Sequence, residues 1–131
     1  MCPSFEWIQF LDFARASKGM PCTSPTSECH DRTATNRAYY AAYHTAREYI
    51  REVDAPYLRS EPKRHATVLD WFGMDHGDAE LRTVGRLLKD AFDRRHSADY
   101  CAESQSYDGT AREVIWWAEK VIRIIRQKRC T

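Results

Sequence analysis

The glycines and prolines of this chain, five of each among 131 residues, fall mainly at four short breaks. Three breaks span Gly19–Pro25, Pro56–Pro62 and Gly73–Gly77, and Gly109 marks the fourth. Between them apolar residues recur at three- and four-residue steps, and no stretch alternates as a half-buried strand does. Because glycine and proline interrupt helices, the pattern predicts an all-α fold whose helices are separated at these breaks.

The spacing predicts five helical segments in one domain. They run from Ser4 past Ala14, from about Ser27 to Val53, from about Arg64 to Phe72, from about Asp78 past Phe92, and from a capping box of Thr110 and Glu113 past Ile125. A chain of this length buries roughly two-thirds of its unfolded surface. Residues 1–131 are therefore expected to form a single four-to-five-helix up-and-down bundle.

The composition excludes several classes of protein. A hydrophobic content of 43% with 12% aromatic residues argues against a disordered chain. No apolar run approaches the ~20 residues of a membrane span, since the densest cluster, Val114–Ala118, is flanked by charges. Acidic Glu6 and Asp12 interrupt the apolar stretch near the N-terminus, unlike a signal peptide. We expect a cytoplasmic protein that makes no membrane contact.

The cysteines predict neither a disulfide framework nor a metal site. There are five, an odd number, and no two have C-x-x-C spacing. The nearest approach to a metal cluster, Cys22, Cys29 and His30, matches no zinc-finger or ribbon spacing. We expect reduced thiols, no metal and no cofactor.

The fourth predicted helix carries an apolar stripe that ends in polar residues. Leu81, Leu88 and Phe92 continue at three- and four-residue steps onto Arg95 and then Asp99. A guanidinium on that line would lie against the core or a partner, where it must be paired, and Asp99 is one turn away. Beside them lies a second pair at four-residue spacing, His96–Tyr100. These residues form either a structural salt bridge and capping network or part of a site.

The second predicted helix places arginines beside tyrosines. Arg37, Tyr40 and His44 share one face, because seven residues make nearly two turns, and Arg32 lies on a neighbouring part of the helix. Such a surface could hold a phosphate and stack a base. The same residues could equally form a wet tyrosine-rich surface or a dimer seam.

Both segments match motifs of one family. The segment Arg32–His44, RTATNRAYYAAYH, resembles the R-x-x-x-x-R-A-Y-Y-A-x-[FYH]-H signature of small prokaryotic HEPN-domain proteins, and Arg95–Tyr100, RHSADY, resembles their R-x-x-A-D-Y motif. The order of an aromatic and acidic first helix, the R-A-Y-Y helix, the second motif and a long last helix is also the family's. The resemblance covers about residues 5–126, the expected HEPN-like core.

The resemblance implies a helical bundle that forms homodimers. Many HEPN proteins are metal-independent ribonucleases of toxin–antitoxin, CRISPR or phage-defence systems, whereas others bind nucleotides or partner a minimal nucleotidyltransferase. The ribonuclease members carry an arginine, a polar residue and then a histidine. By this correspondence Arg95 is the arginine and His96 the polar residue, and the histidine position falls at Tyr100.

The tyrosine at this position changes the expected chemistry. A histidine with a pKa of ~6.5 can exchange a proton with a 2′-hydroxyl or a leaving oxygen at neutral pH, whereas a tyrosine with a pKa near ~10 is a poor base. Arginine can still stabilise a phosphorane-like transition state. The chain therefore retains the electrostatic half of the site, and His96 or His44 could supply the proton transfer.

Two functional hypotheses follow. The first is a homodimer that binds RNA or nucleotide phosphate and cleaves RNA. Its candidate residues are Arg95, His96, Tyr100 and His44 for catalysis and Arg32, Arg37, Tyr40 and Asp99 for binding. The second is a non-catalytic module in which Arg95 and Asp99 build the dimer seam or dock a minimal nucleotidyltransferase antitoxin. The net charge of +1 disfavours broad binding to long nucleic acid and fits a compact site.

Overall fold

The computed structural model describes residues 6–19, 26–60, 65–100 and 107–130, without the side chains of residues 19, 26–28, 60, 100, 107 and 108. Helices account for 91% of the described residues. Their bounds are α1 Ile8–Gly19, α2 Thr26–Val53, α3 Ala55–Ser60, α4 His65–Gly73, α5 Ala79–Tyr100 and α6 Tyr107–Arg129. None of these six helices combines the length and apolar character that a membrane crossing needs.

The four long helices run alternately up and down. Each is antiparallel to the next, so α3 and α4 lie in the connection from α2 to α5. The contacts that fix these directions are Phe10–Arg37 and Lys18–Asp31 between α1 and α2, Tyr39–Phe92 and Arg32–Ala98 between α2 and α5, and Arg94–Trp117 and Lys128–Asp78 between α5 and α6. The predicted all-α up-and-down bundle is confirmed.

Helix α2 lies at the centre of the bundle, since every other helix contacts it. Its buried face consists mainly of small residues: Ala34, Ala38, Ala41, Ala42 and Ala46. Alanine has the highest helix propensity, and a short side chain lets neighbouring helices lie close. Branched residues of α6 complete the core, among them Val114, Val121 and Ile125.

The start of α5 agrees with the prediction. The Asp78 carboxylate accepts hydrogen bonds from the backbone N–H groups of Glu80 at 2.9 Å and Leu81 at 3.4 Å. A carboxylate that satisfies free N–H groups at a helix N-terminus is a stabilising cap. The same carboxylate binds Lys128 Nζ, which joins the start of α5 to the end of α6.

Three helix boundaries differ from the prediction. The break at Pro56 contains the short helix α3, because proline is tolerated in a first turn where its missing N–H would have no partner. Helix α6 begins at Tyr107, so Gly109 and Thr110 lie inside its first turn and the predicted capping box is wrong. Helix α1 begins at Ile8, and Ser4 lies outside the described residues.

Gly85 marks the closest approach of α4 to α5. A Cβ atom there would lie 3.0 Å from Phe72 Cβ and 3.2 Å from the Phe72 carbonyl carbon and oxygen. We expect Gly85→Ala to lower the free energy of unfolding by up to about 2 kcal/mol, because overpacking costs about 1–3 kcal/mol and the gain in helix propensity returns about 1 kcal/mol. Urea denaturation measures the change.

Gly73→Ala is the matched control, since no atom lies within 4 Å of its added Cβ. It should leave the stability unchanged or raise it by up to about 1 kcal/mol. Equal effects of the two substitutions would contradict the packing argument.

Candidate functional site

Arg95 is a buried charge at the seam between α2 and α5. Only 7% of the residue is exposed. Its guanidinium carbon lies 5.4 Å from the ring centroid of Tyr39, 5.6 Å from that of Tyr40 and 5.2 Å from that of Phe92. We call Arg95 with these three rings the Arg95 cage. The electron-rich ring faces attract a cation, and the packed rings hold the guanidinium in one place.

One carboxylate connects the cage to the polar side of α2. Asp99 Oδ2 accepts a hydrogen bond from Arg95 Nη1 at 3.2 Å, one helical turn away. The side-chain amide of Asn36 donates to both Asp99 oxygens, at 3.0 and 3.2 Å. Arg32 Nη1 donates to the Ala98 carbonyl at 2.9 Å. Two arginines therefore converge on this segment of α5, Arg95 on its carboxylate and Arg32 on its backbone.

The hydrogen bonding of Arg95 is incomplete. Its Nε atom is buried and has no hydrogen-bond partner among the described residues. A buried donor without an acceptor costs about 1–3 kcal/mol, more for a charged group, and such donors are rare in native proteins. Within the described part of the chain, this donor of Arg95 is therefore left unsatisfied.

His65 joins the same cluster from α4. Its Nδ1 lies 2.6 Å from the Tyr39 hydroxyl oxygen, and its ring centroid lies 4.4 Å from that of Tyr43. Burial, and then the positive charge of Arg95, lower the pKa of His65 below its ordinary value. Burial raises the pKa of Tyr39, against the opposing effect of Arg95. At neutral pH both groups are uncharged.

His44 lies between α1 and α2 under a tryptophan. Its ring stacks on Trp7 with centroids 3.5 Å apart and planes 12° apart. Burial, followed by the charges of Arg47 and His65, lowers the pKa of His44 to about 4. His44 is therefore neutral near pH 7 and cannot bind phosphate as a cation.

The structure brings together some of the predicted residues and separates others. Arg32, Tyr40, Arg95 and Asp99 meet at the α2–α5 seam, and the predicted Arg95–Asp99 pair is confirmed. His96 is exposed and stacks on Phe92 of its own helix, with centroids 6.4 Å apart.

Two other predicted residues are not placed in the cage by their contacts. Arg37 lies over the Phe10 ring at 4.9 Å, on the side of α2 that faces α1. The side chain of Tyr100, the last residue of α5, lies outside the described residues. Their roles stay predictions.

Two other tyrosines of α2 lie in the core rather than on a wet surface. Tyr39 is fully buried and Tyr43 is 7% exposed, because Phe92 of α5 and His65 of α4 cover them. The sequence favours a solvent-exposed His65, since a histidine near a helix end is usually solvated, but the structure half-buries it. Its partner Tyr39 is 26 residues away, and no local pattern connects the two.

Comparison with known proteins gives one informative similarity. The chain is 29% identical, over 99 residues, to a protein of Methanocaldococcus jannaschii named "Putative toxin MJ0605". The aligned part covers 73% of this chain and 69% of that protein. No family model matches the chain, and no solved structure matches it.

Removal of the Asp99 carboxylate should destabilise the protein. Asp99→Ala leaves Arg95 buried without its counter-ion and Asn36 without its acceptor, so we expect a loss of about 1–3 kcal/mol in the free energy of unfolding. Asp93→Ala is the control, because its pair with Lys89 is exposed and should contribute at most about 0.5 kcal/mol. Equal losses would show that the three aromatic rings alone hold Arg95.

The lowered pKa of His44 predicts the direction of a pH effect. The unfolded chain, with a histidine pKa of about 6.5, binds a proton more readily than the folded chain, whose His44 pKa is about 4. Stability is therefore complete above about pH 6.5 and falls as the pH drops toward 4. Urea denaturation at pH 6.5 and at pH 4 should show a smaller loss of stability for His44→Gln than for the wild type. An NMR titration of the His44 ring with a midpoint near pH 6.5 would contradict the burial argument.

Proposed function

We propose that this chain is a toxin of the toxin–antitoxin kind that binds RNA phosphate at the Arg95 cage and cleaves RNA without a metal ion. The observation that carries the proposal is a caged guanidinium, 7% exposed, whose Nε has no acceptor among the described residues. The similarity to a protein named as a toxin supports the biological role, and the two HEPN-like motifs support the chemistry.

The cage suits phosphoryl chemistry because Arg95 is fixed before any ligand arrives. Guanidinium donors match phosphate oxygens in geometry and charge. Donors that are already oriented in a partly dehydrated site stabilise developing negative charge more than mobile donors in water do. Three rings and Asp99 orient Arg95. Arg32, bound to the Ala98 carbonyl, supplies a second positive charge at the same seam.

The charge distribution and Tyr40 support a choice of substrate, and the resemblance to HEPN-domain proteins supports the assembly and the antitoxin. Local rather than overall positive charge favours a short single-stranded segment over long duplex nucleic acid. Tyr40 is half-buried at the edge of the cage and offers a ring on which a base can stack. We propose that the protein acts as a homodimer in the cytoplasm, and that its antitoxin is a minimal nucleotidyltransferase.

A non-catalytic interaction module is the second candidate. Asp99 accepts hydrogen bonds from both Arg95 and Asn36, so the polar network also ties α5 to α2 within one chain. In this account Arg95 serves assembly, and Arg95→Ala should change the oligomer size in light scattering. A variant that keeps the wild-type size and loses only RNA binding would exclude the module.

Cleavage of RNA in excess chelator tests the proposed activity. The wild-type protein should cut single-stranded RNA, and Arg95→Ala should lower kcat/KM by about 10²–10³-fold, as loss of a transition-state donor does. Arg95→Lys should recover only part of the rate, because an ammonium lacks the planar pair of donors.

Arg86→Ala is the matched control, since Arg86 is an exposed arginine of the same helix. It should cleave at the wild-type rate. The nuclease proposal is excluded if the wild-type protein leaves RNA intact, or if Arg95→Ala and Arg86→Ala cleave equally fast.

A further inference from the structure

His65 and Arg95 lie against the same three rings. The His65 ring centroid is 5.5 Å from that of Tyr39, 5.7 Å from that of Tyr40 and 5.6 Å from that of Phe92. These are the rings that form the Arg95 cage. An imidazole from α4 and a guanidinium from α5 are therefore adjacent, although 30 positions separate them in the sequence.

The other described histidines are less suited to proton transfer at the cage. His76 lies in the α4–α5 connection, where it stacks on Trp71 and contacts the Trp71 carbonyl. His44 is covered by Trp7. His96 is exposed on α5, and His30 lies near the start of α2. Only His65 combines ring contacts to the cage with a hydrogen bond to one of its tyrosines.

We propose that His65 is the proton acceptor of this site. It would take, from a different helix, the role of the histidine that the second motif lacks. The inference rests on the proposed ribonuclease function. Tyr39 orients the imidazole: when Nδ1 carries the hydrogen and donates it to the Tyr39 hydroxyl oxygen, Nε2 keeps its lone pair. The neutral ring is then a base ready for a substrate hydroxyl.

The reaction balances with water as the only co-reactant. His65 Nε2 removes the proton from the 2′-hydroxyl, and the 2′-oxygen forms a bond to phosphorus while the bond from phosphorus to the 5′-oxygen breaks. The 5′-oxygen leaves with the electron pair and takes a proton from water, and the imidazolium returns its proton to the solvent. The products are a 2′,3′-cyclic phosphate and a 5′-hydroxyl. Arg95 stabilises the charge on the phosphate oxygens.

The surroundings of His65 keep it in the basic form. The titratable and charged groups that face it are Tyr39, Tyr40, Tyr43 and His44 on α2 and Arg95 on α5. Burial raises the pKa of Tyr39 and of Tyr43, which keeps both neutral at pH 7, and Arg95 disfavours a second positive charge. Burial acts in the same direction by lowering the pKa of His65. The acid limb of the pH–rate profile should therefore lie below pH 6.5.

Substitution of His65 tests the inference in the full-length protein. With a short single-stranded RNA as substrate, His65→Gln should lower kcat by about 10²–10⁴-fold and leave KM within about threefold of wild type, because Arg95 still binds the phosphate. The acid limb of the pH profile should disappear. His76→Gln, another histidine next to α4, should cleave at the wild-type rate and keep the acid limb.

Tyr39→Phe is the second variant, which keeps the ring and removes only the hydroxyl. It should lower kcat by about tenfold with KM unchanged, because the imidazole loses the hydrogen bond that orients it. If His65→Gln does not fold, Tyr39→Phe tests the role of His65 by itself.

The outcomes separate the inference from the function on which it rests. Cleavage by wild type together with full kcat in His65→Gln, or in Tyr39→Phe, overturns the role of His65 alone. In a His65→Gln protein that still folds, a parallel loss of kcat, RNA binding and thermal stability also overturns it, since that pattern marks a structural residue. A wild-type protein that does not cleave RNA overturns both proposals.

Discussion

The burial of one positive charge between α2 and α5 is the interaction on which the site depends. An isolated guanidinium is costly to remove from water, and Arg95 is tolerated because Asp99 neutralises it and three ring faces surround it. These contacts also join the two helices that carry the candidate residues. Fold and site therefore share their central contacts, and a substitution at the seam should affect both.

The buried charge of Arg95 changes the pKa values of neighbouring groups. Arg95 lowers the pKa of His65 and opposes the burial that raises the pKa of Tyr39. The cluster at neutral pH thus consists of one fixed cation beside an uncharged imidazole and uncharged phenols. In the proposed mechanism, the arginine stabilises charge and the histidine transfers the proton. The proposed cluster thus contains one group for charge stabilisation and one for proton transfer, although the second motif carries Tyr100 where a histidine is expected.

Local spacing was enough to predict the bundle and part of the seam. The apolar stripe of α5 correctly placed Arg95 against the core, and the four-residue spacing correctly paired it with Asp99. Contacts between distant segments could not be predicted in this way. The burial of Tyr39 and Tyr43 could not be predicted, because His65 and Phe92, which cover them, lie far away in the sequence. The short helix α3 was missed because Pro56 was interpreted as a break rather than as a first-turn residue.

The central claim is that the caged Arg95 binds an RNA phosphate. Calorimetry with a short single-stranded RNA whose 2′-hydroxyls are methylated measures this binding without cleavage. The account predicts saturable binding by wild type and a dissociation constant at least about tenfold higher for Arg95→Gln, equivalent to about 1.4 kcal/mol, with Arg86→Gln unchanged. Equal affinity of wild type and Arg95→Gln would contradict it.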